Sequence, residues 1–316
     1  SWNETLADAQ KMCAIEGLIA HDYIPDPQEI MNNWMFRDIN YFHDKLIAYL
    51  NDSAVGCIHI NQARKENSHI VFFDFFVNPQ FQNQGIGTLL YNELLKCVKK
   101  IECTHLHTYG YDHPNWKSGK KFLLSHGFEH ISTNREYELK LNESDFSQFN
   151  SVIDQIKGQG FTFLEPVKEG INSTNHYKKL EELRWEFFKD MPYPKGIVPT
   201  RPNYDLWIQE HQNFEKENYG IELILLNPEG EYIGCTKLSI DQTEPDKCWT
   251  DNLGIRKDYR RKKLATALKV EALSRLKKRG ISKVRTDNEE NNPMYKINVN
   301  LGFVPVPFSL EYMKVI

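Results

Sequence analysis

The spacing of apolar and polar residues changes along the chain and marks its elements. Ile70-Val-Phe-Phe-Asp-Phe-Phe-Val77 is almost wholly apolar or aromatic, the pattern of a strand buried on both faces. Beyond it Leu90, Leu94, Val98 and Ile101 recur at helical spacing, which predicts an amphipathic helix over 89–100. Upstream, Lys45–Leu50 and Ala54–Ile60 flank the turn Asn51-Asp-Ser53 as a β-hairpin. Residues 1–42 alternate helical stretches with a break at Pro25 and Pro27. Downstream, Thr104–Tyr109 alternates as a strand. Lys117–His126 is a short helix ended by Gly127-Phe128, and Glu136–Leu141 is a closing strand.

The pattern then starts again. Residues 142–159 are polar and read as a linker with room for a short helix. Phe161–Leu164 is a strand and His176–Lys189 an amphipathic helix. Ile221–Leu226 and Tyr232–Leu238 flank the turn Asn227–Gly230 as a second hairpin. Trp249–Ile255 is the next strand and Arg260–Arg279 a long helix. Val55-Gly56-Cys57 matches Ile233-Gly234-Cys235, Val77 matches Ile255 and Gly87 matches Ala265, always 178 residues apart. Gly127-Phe128 matches Gly302-Phe303 after a three-residue deletion. A constant offset over separate elements predicts two copies of one unit, over 1–145 and 158–316. The expected class is α/β (α+β). Each copy has a mixed, mostly antiparallel sheet flanked by helices, with a helix crossing after the fourth strand.

Between the first buried strand and its helix lies Gln82-Asn-Gln-Gly85-Ile-Gly87-Thr88. Glycine lets a backbone approach a ligand closely. The first helical turn adds unpaired N–H groups and the positive end of the dipole, which suits a phosphate or pyrophosphate. No Gly-Lys-Ser/Thr follows at P-loop spacing, and the third glycine of a dinucleotide fingerprint is missing. The stretch resembles the pyrophosphate loop of the GNAT superfamily of acetyl-CoA-dependent N-acetyltransferases, Gln/Arg-x-x-Gly-x-Gly/Ala. Gln82, Gly85 and Gly87 fill its three positions, and Val77-x-Pro79 resembles the family's strand end.

The second copy carries Arg260-Arg-Lys-Lys-Leu-Ala265, which keeps the arginine and the small last residue and puts Lys263 at the middle glycine. Lys263 either adds charge to a phosphate site or brings a Cβ that blocks the approach. The run also reads as a solvated helix start. Four cations at a helix N-terminus are unfavourable without an anion, which favours a retained ligand. Thr286–Phe303 resembles the closing helix of the second domain in tandem GNAT proteins of the mycothiol-synthase arrangement, with Asn291, Met294 and Asn298 on one face. Asn288 and Asn291 suit a helix N-terminus, as caps or as ligand contacts. Asn298, inside an apolar helix, points to a ligand contact. The resemblance spans about 2–142 and 160–316.

The resemblance implies acetyl-CoA as cosubstrate and no metal, with the cofactor lying where the fourth and fifth strands of a unit splay apart. It implies contacts from Phe76, Val77, Gln82, Asn83, Gln84, Gly85, Ile86, Gly87 and Thr88 in the first copy. In the second it implies Ile255, Arg260, Arg261, Lys262, Lys263, Leu264, Ala265, Thr266 and Asn291. A backbone N–H near Phe76–Val77 or Gly254–Ile255 would polarise the thioester carbonyl. The acceptor amine must also lose a proton to a base, and the leaving thiolate takes one. Many family members supply that last proton from a tyrosine four residues before the Gly-Phe. Here Leu123 and Asn298 stand there, leaving Tyr109, Tyr111, His113 and Tyr295 as nearby substitutes. Asp74 and Asp251 are candidate bases, or equally structural carboxylates. His105 and His107 alternate as a metal pair would, but no third ligand follows at a recognisable spacing, so strand composition explains them better.

Composition narrows the classes further. A net charge of −4 on 316 residues gives no global pull toward nucleic acid or membrane. No apolar run approaches the roughly 20 residues that span a bilayer. Ser1-Trp-Asn-Glu-Thr5 lacks a signal-peptide layout. Six cysteines without a CxxC pair read as reduced thiols of a cytoplasmic protein. The expected function is direct acetyl transfer to a primary amine of a small molecule or protein, by a monomer or homodimer. One alternative is an acyl-CoA-binding or sensing protein without chemistry. Another is transfer from aminoacyl-tRNA, as in the paired Fem transferases, against which the intact loop and acidic charge argue.

Overall fold

The computed structural model describes residues 2–20, 23–289, 292 and 294–316. Two compact units share the chain. Residues 1–134, 193–206 and 307–316 form the first, and 135–192 with 207–306 the second.

The first unit opens with α1 (Leu6–Glu16) and α2 (Pro27–Met35). Thr5 caps α1 by accepting from Asp8 N, and Asp26 caps α2 with Pro27 at its first position. There follow β1 (His43–Leu50), β2 (Ser53–Gln62), β3 (Ile70–Val77), α3 (Ile86–Val98), β4 (His105–Tyr111), α4 (Lys117–Ser125) and the first half of β5 (Glu129–Lys140), up to Asn134. β1, β2 and β3 pair antiparallel, and β4 joins β3 in parallel. Phe73 and Val77 turn to the face packed by Leu90, Tyr91 and Leu94 of α3. Phe76, Cys57 and Ile47 turn to the other face, against Ala9, Met12 and Cys13 of α1. Asp74 shares that second face by the two-residue period of a strand.

The second unit holds α5 (Asn150–Gly158), β6 (Thr162–Leu164), α6 (Pro166–Glu169), α7 (Thr174–Phe188), most of α8 (Tyr204–Lys216), β7 (Gly220–Leu226), β8 (Tyr232–Ile240) and β9 (Lys247–Ile255). α9 (Leu264–Lys278), β10 (Lys283–Glu289), α10 (Tyr295–Asn300) and β11 (Val304–Pro305) complete it. β6 to β9 pair antiparallel in order, and β10 joins β9 in parallel. The repeat holds in register: Gly56 faces Val77 across β2 and β3, and Gly234 faces Ile255 across β8 and β9.

Several expectations change. The final strand β12 (Ser309–Val315), in the second half of the sequence, pairs antiparallel with β4 and with Glu129–Asn134 of β5. It therefore completes the first unit, so the cut into 1–145 and 158–316 does not follow the compact units. The first unit has only three strands before its crossing helix among the described residues, because nothing in it corresponds to β6. The polar stretch 142–159 is ordered, and α5 buries Ile153 and Ile156 in the second core. The helix expected over 260–279 starts at Leu264. Residues 286–289 extend a strand, which leaves α10 only six residues long.

Candidate active site

In the first unit β3 and β4 are bonded only from Ile70–Phe72 to His105–His107. Beyond that the ladder stops and the strands diverge, leaving a wedge between Asp74–Val77 and Tyr109–Tyr111. The loop after β3 is folded by its own side chains. Asn78 accepts from Gln80 N, and Gln82 Nε2 donates to Val77 O at 3.1 Å. Asn83 (φ 60°) and Gly85 (φ 86°) then turn the chain through the left-handed region into α3. Gly85 supplies no side-chain cap, so the first N–H groups of α3 stay available to a ligand.

A cleft of about 590 Å³ runs along this loop. Phe76, Val77, Gln82, Asn83, Gly85, Gly87 and Thr88 line it, facing Lys117, Ser118 and Lys121. Gln84 and Ile86 stand outside the lining. Gln84 Nε2 bonds Gln80 O, and Ile86 packs on the core.

A second space of about 50 Å³ lies beside it, lined by Asp74, Thr108, Tyr109, Tyr111, Trp116 and Leu123, among others. Three predicted catalytic residues therefore meet here. The two spaces share Phe75, Phe76, Trp116 and Gly119 as a common wall. Burial, helped by Glu16 and opposed by Lys45, pushes the Asp74 carboxyl up to about 7. The nearby Asp74 charge and burial push the Tyr109 phenol far up, so it keeps its proton. His113 is elsewhere, with Nδ1 accepting from Asn115 N.

Sequence reading missed the residues behind Asp74. Lys45, His59 and Asp74 stand in register across β1, β2 and β3. Lys45 Nζ donates to His59 Nδ1 at 2.6 Å. Burial brings Lys45 down to about 8, and burial with the Lys45 charge brings His59 down to about 3. The two-residue alternation of the hairpin carried the signal, since it sets Lys45 and His59 on one face. His105 and His107 do not converge on a common ligand. His107 Nε2 pairs with Glu311 at 2.9 Å, while His105 Nδ1 meets Thr104 Oγ1.

The second unit repeats the geometry with different chemistry. β9 and β10 are bonded only from Lys247–Trp249 to Lys283–Arg285 before they splay. Arg260 Nε donates to Ile255 O at 2.9 Å, the bond that Gln82 makes in the first unit. Arg261 (φ 64°) and Lys263 (φ 61°) take the left-handed positions. The cleft here is about 690 Å³, and Ile255, Arg260, Arg261, Lys263, Leu264, Ala265 and Thr266 line it. Lys262 lies outside, with its ammonium over the Tyr259 ring.

Deeper in the same cleft, Lys269 Nζ donates to Asn298 Oδ1 at 2.6 Å, and Asn298 Nδ2 donates to Asn288 Oδ1 at 2.7 Å. Asn288 is thus on a strand rather than at a helix N-terminus. Asn291 lies outside the described residues. Tyr295 packs against the core. Asp251 accepts from Ser239 Oγ and lies 3.7 Å from Lys237, and burial raises its carboxyl.

His211, Glu215 and Glu222 bring one ligand atom each within 4.8 Å of one another. Burial pushes Glu222 up, yet His211, Arg184 and Lys237 outweigh it and hold the carboxyl at about 2.

The sequence model of the acetyltransferase (GNAT) family matches residues 9–123 and again 177–299. A tandem GNAT protein from the clavulanic acid biosynthesis pathway superposes on 99% of this chain and 95% of its own, with TM-score 0.76 at 16% identity. A GCN5-related N-acetyltransferase from Sphaerobacter thermophilus covers 98% of this chain and 93% of its own, with TM-score 0.70 at 15% identity. The GCN5-related glucosamine N-acetyltransferase region of a fungal multi-domain GH3 β-N-acetylglucosaminidase covers 99% of this chain, which spans 37% of that protein, with TM-score 0.71 at 14% identity. At such identities the likeness is one of fold. No curated protein matches the chain in sequence.

Proposed function

Because this chain belongs to the acetyltransferase (GNAT) family, we propose that it moves acetyl from acetyl-CoA to a primary amine of a small molecule or protein by direct transfer. The observation that carries this reading is the shared wall of the two spaces in the first unit. A cofactor along the Gln82–Thr88 loop would end at Phe76, on the other side of which stands Asp74. Acyl donor and amine would then meet without either crossing the protein.

The roles follow from the chemistry. The loop N–H groups and the α3 dipole hold the pyrophosphate. A backbone N–H at Phe76 or Val77 takes the carbonyl oxygen as it becomes an oxyanion. Asp74, at about 7, accepts the amine's proton near neutral pH. The amine nitrogen attacks the carbonyl carbon, the C–N bond forms and the C–S bond breaks with its electron pair on sulfur. The leaving thiolate takes its proton from water, and Tyr109, which keeps its own, is placed to hydrogen-bond it. Lys45 and His59 position Asp74. All six cysteines are free, and a cytoplasmic site of action accords with that.

A second reading is binding of acyl-CoA without chemistry in one unit or both. Leu123 and Asn298 favour it, since each stands where many family members have a tyrosine. Calorimetric titration of acetyl-CoA into wild type, Gly85→Trp and Ala265→Trp tests cofactor binding unit by unit. Two sites, each lost separately, support two working clefts. One site lost only with Gly85→Trp restricts the cofactor to the first unit. No binding contradicts the acetyl-CoA reading.

A further inference from the structure

In the second unit a fully buried ammonium stands with no carboxylate at ion-pair distance among the described residues. Lys269, on the second turn of α9, is 2% exposed and lines the cleft with Gly254, Ile255 and Asn298. An ammonium has three donors. One goes to Asn298 Oδ1, and the Phe303 ring lies 4.7 Å from Nζ. Lys269 makes no ion pair with the described residues. Of the charged groups around the same cleft, Asp287 on β10 draws it toward the charged form, and Asp190, Asp251, Arg260, Arg261 and Lys263 also line that cleft. Burying a cation without a counter-ion is unfavourable, because the lost hydration is not replaced. The first unit does not carry this cost, for the position 178 residues earlier is Tyr91, whose hydroxyl accepts from Lys314 Nζ.

We propose that Lys269 is the proton donor to the CoA thiolate that leaves when an acyl group is transferred in the second unit. The missing anion is then one that the reaction itself creates. This rests on the reading that acyl-CoA occupies the second cleft. The acceptor nitrogen attacks the thioester carbon, the C–N bond forms and the C–S bond breaks with its electron pair on sulfur. A proton passes from Lys269 Nζ to that sulfur. The neutral amine recovers a proton from solvent once the products leave, and the acceptor's surplus proton goes to water or Asp251. Asn298 and Asn288 are positioning residues. Asn288 accepts from the Asn298 amide and so keeps Asn298 Oδ1 turned to Lys269. Burial brings Lys269 down to about 7. A thiolate forming beside it raises that value again, so the ammonium stands there as the charge develops on sulfur and the two come to share the proton.

The test uses the full chain carrying Gly85→Trp, with coenzyme A as the probe. Thiolate absorbance of bound CoA is followed against pH in this protein and with Lys269→Met or Lys269→Arg added. Amine-dependent thiol release is measured alongside. The ammonium should bring the bound thiol's ionisation to lower pH. Lys269→Met should return it toward the free value and lower turnover by about 100-fold, with binding of desulfo-CoA unchanged. Lys269→Arg should keep the low-pH thiolate and lose turnover, because a guanidinium holds its proton. Bound CoA whose thiol ionises alike with lysine and methionine overturns the proposal while leaving acyl-CoA binding intact. No CoA binding in the Gly85→Trp protein overturns it together with the reading beneath it.

Discussion

Gly85 and Lys263 hold the same backbone conformation, φ 86° and ψ −5° against φ 61° and ψ 7°, each immediately before a helix. The lysine therefore keeps the loop's path at the cost of a left-handed backbone, about 1 kcal/mol for a side chain with a Cβ. Nothing lies within 4 Å of where a Cβ would sit on Gly85. Gly85→Lys should consequently fold, lose about 1 kcal/mol in urea denaturation, and still bind acetyl-CoA by calorimetry. A variant that folds but no longer binds would show that the glycine is needed for more than its conformation.

Asp74 sets a pH dependence with two readouts. Folding raises its pKa from 3.8 to about 7, so the native state holds an extra proton in that window. The stability from this group is full at acid pH and falls as pH rises through 7. Activity moves oppositely, rising as Asp74 loses its proton. Asp74→Asn should melt higher than wild type at pH 8, yet turn over about 100-fold slower or worse with acetyl-CoA affinity unchanged. Melting curves and rates from pH 5 to 9 check both.

Glu165 is 3% exposed and pairs with two arginines, Arg275 of α9 at 2.7 Å and Arg279 at that helix's C-cap. Removing the carboxylate leaves two cations facing each other. The arginines are partly exposed, which moderates the loss. Glu165→Ala should destabilise by about 2 kcal/mol, whereas Glu271→Ala, on the wetter side of Arg275, should cost less. Urea midpoints for the two variants test that order.

Tyr312 tests how the last strand serves the first unit. It is 2% exposed on β12, in the first unit's core, and helps line the Asp74 space. Tyr312→Ala should destabilise by about 3 kcal/mol and lower activity through the first cleft while acetyl-CoA still binds the Ala265 loop. Titration of this variant beside wild type separates the two clefts.

Much of this was legible in the residues. The constant offset of 178 was legible because hairpins and loops recur in fixed register, and the same pairing joins Gly56 to Val77 and Gly234 to Ile255. The loop was legible because its shape is made locally, by Gln82 or Arg260 reaching back to a strand end. Long-range choices were not. Nothing in Ser309–Val315 says which unit it completes, since any alternating strand suits either. Residues 142–159 looked polar because the stretch buries only Phe146, Ile153 and Ile156 in the core. Lys269 escaped because a lysine on an amphipathic helix normally marks its wet face, whereas here the helix is buried around that position. Lys45 and His59 escaped because only the register of three strands brings them beside Asp74.

Thiol release from acetyl-CoA in single turnover, with and without a panel of primary amines, tests direct transfer most plainly. The account predicts no release from acetyl-CoA alone, release and amide formation with an accepted amine, and loss of that step in Asp74→Asn with acetyl-CoA still bound. A burst of thiol without amine would contradict direct transfer, and acetyl-CoA bound but inert toward every amine would contradict the enzyme itself.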